Sequence, residues 1–156
     1  MTQKMGELTA RERGALWVAA FLDELTRWGV RDFVVSPGSR STALAMAAFE
    51  LSRRSPERAR LYVDVDERGA AFLGLGLAKA SGRPAALVCT SGTALANYYP
   101  AVMEAETSRV PLIVLSGDRP PQLQGLGAPQ TTDQLKAYGD HVRAFRAMPL
   151  PDATDA

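Results

Sequence analysis

Phe33-Val34-Val35-Ser36-Pro37-Gly38-Ser39-Arg40-Ser41-Thr42-Ala43 passes from aromatic and β-branched residues, through a turn-rich polar loop, into helix formers. This is strand, polar loop, helix. Working outward, the apolar residues Leu16, Ala19, Ala20, Leu22, Leu25 and Trp28 recur at three- and four-residue spacing. They predict an amphipathic helix over Ala15–Trp28, stopped by Gly29. Downstream, Ser41 and Thr42 are N-cap candidates for a helix over Ala43–Leu51. The unit then repeats. Leu61–Val65 leads through Asp66-Glu67-Arg68-Gly69 into a helix over Ala70–Ala80, closed by Ser81-Gly82-Arg83-Pro84. Ala85–Cys89 leads through Thr90-Ser91-Gly92-Thr93 into a helix over Ala94–Glu106. Leu112–Leu115 ends in Ser116-Gly117-Asp118-Arg119-Pro120-Pro121, after which the pattern weakens through Gly125, Gly127 and Pro129 to a short helix over Thr132–Tyr138. Short apolar strands separated by helix-length segments need crossover connections, because parallel neighbours cannot be joined by a tight turn. The expected fold class is α/β, an open, mainly parallel sheet with helices on both faces.

The 156 residues, 46% of them hydrophobic, suffice for one domain with a single core. Residues 1–148 are read as that domain. Residues 149–156, Pro149-Leu150-Pro151-Asp152-Ala153-Thr154-Asp155-Ala156, lose periodicity and read as the start of a linker to further domains. Eighteen Lys and Arg against 17 Asp and Glu leave no net field toward nucleic acid or an anionic membrane. The single cysteine, Cys89, has no intrachain partner and sits in an apolar run, where a buried, inert thiol is expected. Met1–Leu8 lacks a long apolar stretch and Leu112–Leu115 is too short to span a bilayer. The expectation is a soluble, cytoplasmic protein with no integral membrane segment.

In open α/β sheets ligands collect beyond the carboxyl ends of the strands. All four strand-end loops here are polar. Surface exposure alone explains any one polar loop, but four together point to a site. Arg40 opposes the dipole of the helix it precedes unless an anion compensates, and its planar fork suits a carboxylate. Glu67 is equally placed to cap or charge-stabilise a helix, yet Gly69-Ala70-Ala71-Phe72-Leu73 gives it a small, apolar setting that would desolvate the acid and raise its pKa. Thr90-Ser91-Gly92-Thr93 has the composition of a phosphate cradle without the lysine or spacing of a P-loop. Asp118-Arg119-Pro120-Pro121 holds Arg119 stiffly, although an ion pair between its own two charges costs as little. His141, the sole histidine, has no ligand partner at metal spacing and reads as structural. Leu73-Gly74-Leu75-Gly76-Leu77 lies inside a helical stretch, where small residues permit close packing.

Read in order, Ser36-Pro37-Gly38-Ser39-Arg40-Ser41-Thr42, Asp66-Glu67-Arg68-Gly69, Gly76-Leu77-Ala78-Lys79-Ala80-Ser81-Gly82-Arg83-Pro84 and Thr90-Ser91-Gly92-Thr93-Ala94 resemble the N-terminal, pyrimidine-binding domain of thiamine-diphosphate enzymes. The first run, with Gly117-Asp118-Arg119-Pro120-Pro121 and Gly127-Ala128-Pro129-Gln130, is most similar to the synthases that join 2-oxoglutarate to isochorismate in menaquinone biosynthesis. The likeness extends from Phe21 to about Pro151. Family members commonly carry asparagine where this chain has Pro129, and Gln130 matches.

The resemblance implies that Glu67 is catalytic. Its carboxyl group would hydrogen-bond the aminopyrimidine of thiamine diphosphate and promote the imino tautomer that deprotonates the thiazolium ring. It also implies cofactor contacts at Thr90, Ser91 and Gly92, and substrate contacts at Ser39, Arg40, Arg119 and Gln130. The implied reaction is a carboligation: 2-oxoglutarate is decarboxylated and the succinyl unit is transferred to isochorismate. Magnesium and the diphosphate belong to a domain with no counterpart here, so this chain alone is expected to be inactive. In the family the site lies between subunits, which implies a homo-oligomer, dimer or tetramer. Two rivals are a stand-alone pyrimidine-domain subunit of a two-chain 2-oxoacid decarboxylase and a non-catalytic domain that keeps the fold. The Pro-Gly-Ser-Arg-Ser and Asp-Arg-Pro-Pro segments speak against the first, and Glu67 against the second.

Overall fold

A computed structural model describes residues 8–149. Most of the expected linker, from residue 150 on, and the first seven residues lie outside the described part. Helix α1 (Ala10–Arg27) leads into strand β1 (Asp32–Val35), and a 3₁₀ turn over Ser39–Ser41 precedes α2 (Thr42–Arg54). Strand β2 (Arg60–Val63), α3 (Glu67–Ser81) and β3 (Ala85–Cys89) follow. Then come the short α4 (Thr93–Asn97), α5 (Tyr99–Ser108) and β4 (Leu112–Ser116). The four strands form one parallel sheet in the order β2-β1-β3-β4.

Period-two alternation sorts the strand residues onto two faces. Leu61, Phe33, Ala86 and Ile113 stand in register across the sheet and pack with Leu22, Leu25, Leu44 and Ala48 of α1 and α2. The next row, Tyr62, Val34, Leu87 and Val114, faces Ala70 and Ala71 of α3, Leu95 of α4 and Val102 of α5. Helices therefore cover both faces, as the run of apolar strands requires. Fully burying a side chain such as Phe33 contributes roughly 1.5–3 kcal/mol by area. Gly74 shows why α3 needs small residues: a Cβ there would lie 2.3 Å from Leu87 Cδ2. Gly76 faces open space, so close packing accounts for only one of the two glycines.

Several local expectations are corrected. Helix α1 starts five residues earlier than Ala15, because Thr9 and Glu12 form a reciprocal capping box. Ser41 and Thr42 do not cap α2, since their hydroxyls donate backward to Gly38 O (3.1 Å) and Ser39 O (2.7 Å) around the 3₁₀ turn. Strand β2 stops at Val63, two residues short of Val65. The helix expected over Ala94–Glu106 is broken at Tyr98, where Pro100 in the first turn of α5 starts a new helix. No helix forms over Thr132–Tyr138. There the Asp133 side chain accepts from Leu135 N, Lys136 adopts φ 53°, and a 3₁₀ turn follows only at Gly139–His141.

Candidate active site

The sheet order places a topological switch between β1 and β3. The chain leaves β1 toward α2 on one face and leaves β3 toward α4 on the other, opening a crevice at their carboxyl ends. The main-chain ladder continues past the strands and fixes the loops that flank it. Ser36 N donates to Val88 O (2.8 Å), Asp64 N to Val35 O (3.1 Å) and Gly117 N to Cys89 O (2.9 Å). The loops then meet. A Cβ on Gly38 would lie 2.4 Å from Thr90 Cβ, and one on Gly117 would lie 2.7 Å from Arg40 O.

Arg40, half-buried in the 3₁₀ turn before α2, donates from Nη1 to Gln130 Oε1 (3.3 Å) and from Nη2 to Pro129 O (3.2 Å). Arg119 is only 8% exposed. Its Nη1 donates to Ser91 Oγ (3.3 Å) and Gln130 O (3.2 Å), and its Nη2 to Pro129 O. Two guanidinium groups thus converge on one backbone carbonyl. Neither has an acidic side chain at ion-pair distance among the described residues. The ion pair entertained for Asp118 and Arg119 does not form, since Asp118 accepts from the Arg119 main-chain N–H (2.7 Å) and from Gln124 Nε2 (3.3 Å). Burial raises the Asp118 pKa, with Asp133 adding and Arg40 opposing. Because the contact at Pro129 uses its carbonyl, proline serves there without a side-chain donor.

Across the crevice, Asp66 is the N-cap of α3 and accepts from Gly69 N (3.0 Å). Glu67 is therefore the first helical residue and not the cap. It is half-buried, and among the described residues its carboxylate has no hydrogen-bond or ion-pair partner. Its charge is felt at the end of β3. The Cys89 thiol is pushed up to about 12, first by burial and then by the Glu67 charge. Burial also pushes up the Tyr98 hydroxyl, with Cys89 and Glu67 adding. Tyr98 OH donates to Val88 O (2.9 Å), holding α4 and α5 against the crevice wall. Cys89 is thus the buried, inert thiol expected of it.

The β3 loop is divided in its uses. Ser91 Oγ donates to Gln130 O (2.9 Å) and the Gly92 amide to Gln134 Oε1 (2.7 Å), so both are engaged within the protein. Gly92, at φ 77° and ψ −136°, occupies backbone space closed to other residues, and a Cβ would lie 2.8 Å from Gln130 O. Thr90 is different. It is 5% exposed and its Oγ1 has no hydrogen-bond partner among the described residues. A half-buried carboxylate that has no partner among the described residues fits a ligand with a polar heteroaromatic edge.

The structure brings Arg40, Ser91, Gly92, Arg119 and Gln130 into one hydrogen-bonded cluster, with exposed Ser39 at its margin. Sequence reasoning missed Gln134, which is buried and bridges two strand ends. A loop glutamine carries no signal that would have found it. His141 lies apart, its Nδ1 2.6 Å from Glu106 Oε2 and its ring edge-on to Tyr99, which supports a structural role.

Comparison with known proteins agrees with this geometry. The family model described as thiamine pyrophosphate enzyme, N-terminal TPP binding domain, matches residues 17–137. The chain is 55% identical over 139 residues to a 2-succinyl-5-enolpyruvyl-6-hydroxy-3-cyclohexene-1-carboxylate synthase of Listeria innocua, covering 89% of this chain and 23% of that protein. It is 54% identical to proteins of the same name from Oceanobacillus iheyensis, over 144 residues (92% and 24%), and Geobacillus kaustophilus, over 141 residues (90% and 24%). The chain spans about a quarter of the length of these curated relatives. With the parallel sheet, the switch-point crevice and Glu67 at its edge, these matches show that the chain belongs to the thiamine pyrophosphate enzyme family, as its N-terminal TPP binding domain.

Proposed function

We propose that this chain is the pyrimidine-binding part of a synthase that decarboxylates 2-oxoglutarate and adds the succinyl unit to isochorismate in menaquinone biosynthesis. The observation that carries this reading is the unpartnered Glu67 carboxylate at the crevice, beside an Asp66 that already does the capping. When bound, thiamine diphosphate supplies the nucleophilic carbon and the electron sink for 2-oxo acid decarboxylation. The Glu67 carboxyl group would exchange a proton with a pyrimidine ring nitrogen, which an amide side chain cannot do. Thr90, Ser91 and Gly92 form the cofactor-side wall.

Ser39, Arg40, Arg119 and Gln130 form the substrate side. Both substrates carry carboxylates, and two partly desolvated guanidinium groups without acid partners favour an anion between them. Residues 1–148 are assigned to the domain and 149–156 to the start of a linker. Magnesium and the diphosphate are assigned to the portion of the relatives' length that this chain does not match. The working enzyme is a cytoplasmic homo-oligomer, dimer or tetramer, with the site shared between subunits. Among the described residues no helix is long and apolar enough to cross a membrane.

The test is carbon dioxide release from 2-oxoglutarate with thiamine diphosphate and magnesium. The protein at the full length of its relatives is expected to turn over only while consuming isochorismate, and the purified 156-residue chain not at all. Turnover by the chain alone would overturn the domain assignment. Release without isochorismate consumption would favour a simple 2-oxoacid decarboxylase.

A further inference from the structure

Gln134 belongs to none of the motifs that mark the site, yet it is 7% exposed and uses both ends of its amide. Oε1 accepts from Gly92 N (2.7 Å). Nε2 donates to Gly117 O (3.1 Å) and lies 3.4 Å from Ser116 Oγ. One side chain therefore ties the loop after β3 to the end of β4, and both to the 129–134 strap that carries it. At the strap's other end Gln130 is held at φ 57°, a conformation unfavourable for a residue with a Cβ, by Ser91 and Arg119 on its carbonyl. That conformation puts the Gln130 side chain against Arg40.

We infer that Gln134 is a positioning residue for the substrate edge: it pins the strap so that Gln130 and the Pro129 carbonyl meet the two arginines, without itself touching substrate. The site demands an acceptor for the Gly92 N–H and a donor for the Gly117 carbonyl from one side chain. An amide carries both at every pH, a carboxyl group only when protonated, and asparagine is one methylene too short. The inference rests on the reading that Arg40 and Gln130 meet the carboxylate substrates.

The test uses the full-length protein with Gln134→Glu and Gln134→Leu, followed by steady-state kinetics and amide hydrogen exchange. Glutamate keeps the length and the acceptor but turns a second lone pair toward Gly117 O. At pH 8 it should raise KM for 2-oxoglutarate or isochorismate by about tenfold, with kcat and thiamine diphosphate affinity within about twofold of wild type. The deficit should shrink as pH falls toward 6, because the protonated carboxyl regains the donor. The neighbouring Asp133 and Asp118 assist that protonation, whereas Arg40 and Arg119 oppose it. Gln134→Leu should expose the Gly92 amide to faster exchange. Wild-type KM values and a pH profile parallel to wild type, with only Tm lowered, would overturn the inference and leave Gln134 a packing residue. If the wild-type protein turns over neither substrate, the functional reading fails while the exchange arm still decides: unchanged Gly92 exchange in Gln134→Leu refutes the pinning role, and accelerated exchange supports it.

Discussion

Arg40 and Arg119 approach the Pro129 carbonyl from two different strand ends, and neither has an acidic partner among the described residues. A lysine at either position would keep the charge and lose the planar fork. In the full-length protein, Arg40→Lys should therefore raise KM for a carboxylate substrate by about tenfold while leaving cofactor affinity nearly unchanged. Wild-type KM values for both substrates would remove Arg40 from the site. Arg40 was legible because its placement before a helix is electrostatically unfavourable without an anion. Arg119 was legible only as a stiffly held charge. Its acceptors, Ser91 Oγ and the carbonyls of Pro129 and Gln130, come from segments far apart in sequence, and no local pattern encodes them.

At the scale of elements, the Asp66 cap and the Glu67 carboxylate separate two roles that are adjacent in sequence. Asp66→Ala should cost about 1 kcal/mol of stability through loss of the bond to Gly69 N, as read from denaturant unfolding. A second tie joins α1 to the turn before β2, where Arg58 Nη2 donates to Asp23 Oδ1 (2.8 Å) and Thr26 Oγ1 (2.7 Å). The Arg58 hydrogen bond, followed by its charge and by Arg27, holds the Asp23 pKa below its ordinary value. A depressed carboxyl contributes stability that is present above the unfolded pKa of about 3.9 and is lost as pH falls through the lower, folded value. Asp23→Asn should accordingly lower Tm at pH 7, and that deficit should shrink toward pH 2. A constant deficit across that range would assign the effect to packing. Strands β1 and β3 were legible almost to the residue, because central strands buried on both faces are continuous apolar runs. The edge strand β2, exposed at Val63, gave a weaker signal and a two-residue error. The early start of α1 was written in Thr9 and Glu12, and the break before α5 in Pro100. The strap over residues 129–134 was not legible. Its shape is set by buried side-chain bonds and left-handed backbone at Gln130, not by periodicity.

At the scale of the whole molecule, the order β2-β1-β3-β4 explains why residues scattered from Ser39 to Gln134 meet at one edge. A parallel sheet sends every strand's carboxyl end the same way, and the reversal at β1 opens the crevice there. The resulting site has an acid and two guanidinium groups that hydrogen-bond to neutral acceptors and have no acidic partner among the described residues. Under the proposed function, the acid would meet the cofactor and the guanidinium groups would meet carboxylate substrates. The account turns on Glu67 acting through its proton and not through its charge at a helix end. The measurement that tests this most directly is exchange of the thiazolium C2 proton for deuterium in the full-length, cofactor-loaded Glu67→Gln protein, followed by NMR with no substrate present. Glutamine keeps the size and can still hydrogen-bond the ring, so fold and loading should persist while exchange slows by about 10²–10⁴-fold. Exchange at the wild-type rate in a folded, loaded Glu67→Gln protein would contradict the account and leave Glu67 a helix-stabilising charge.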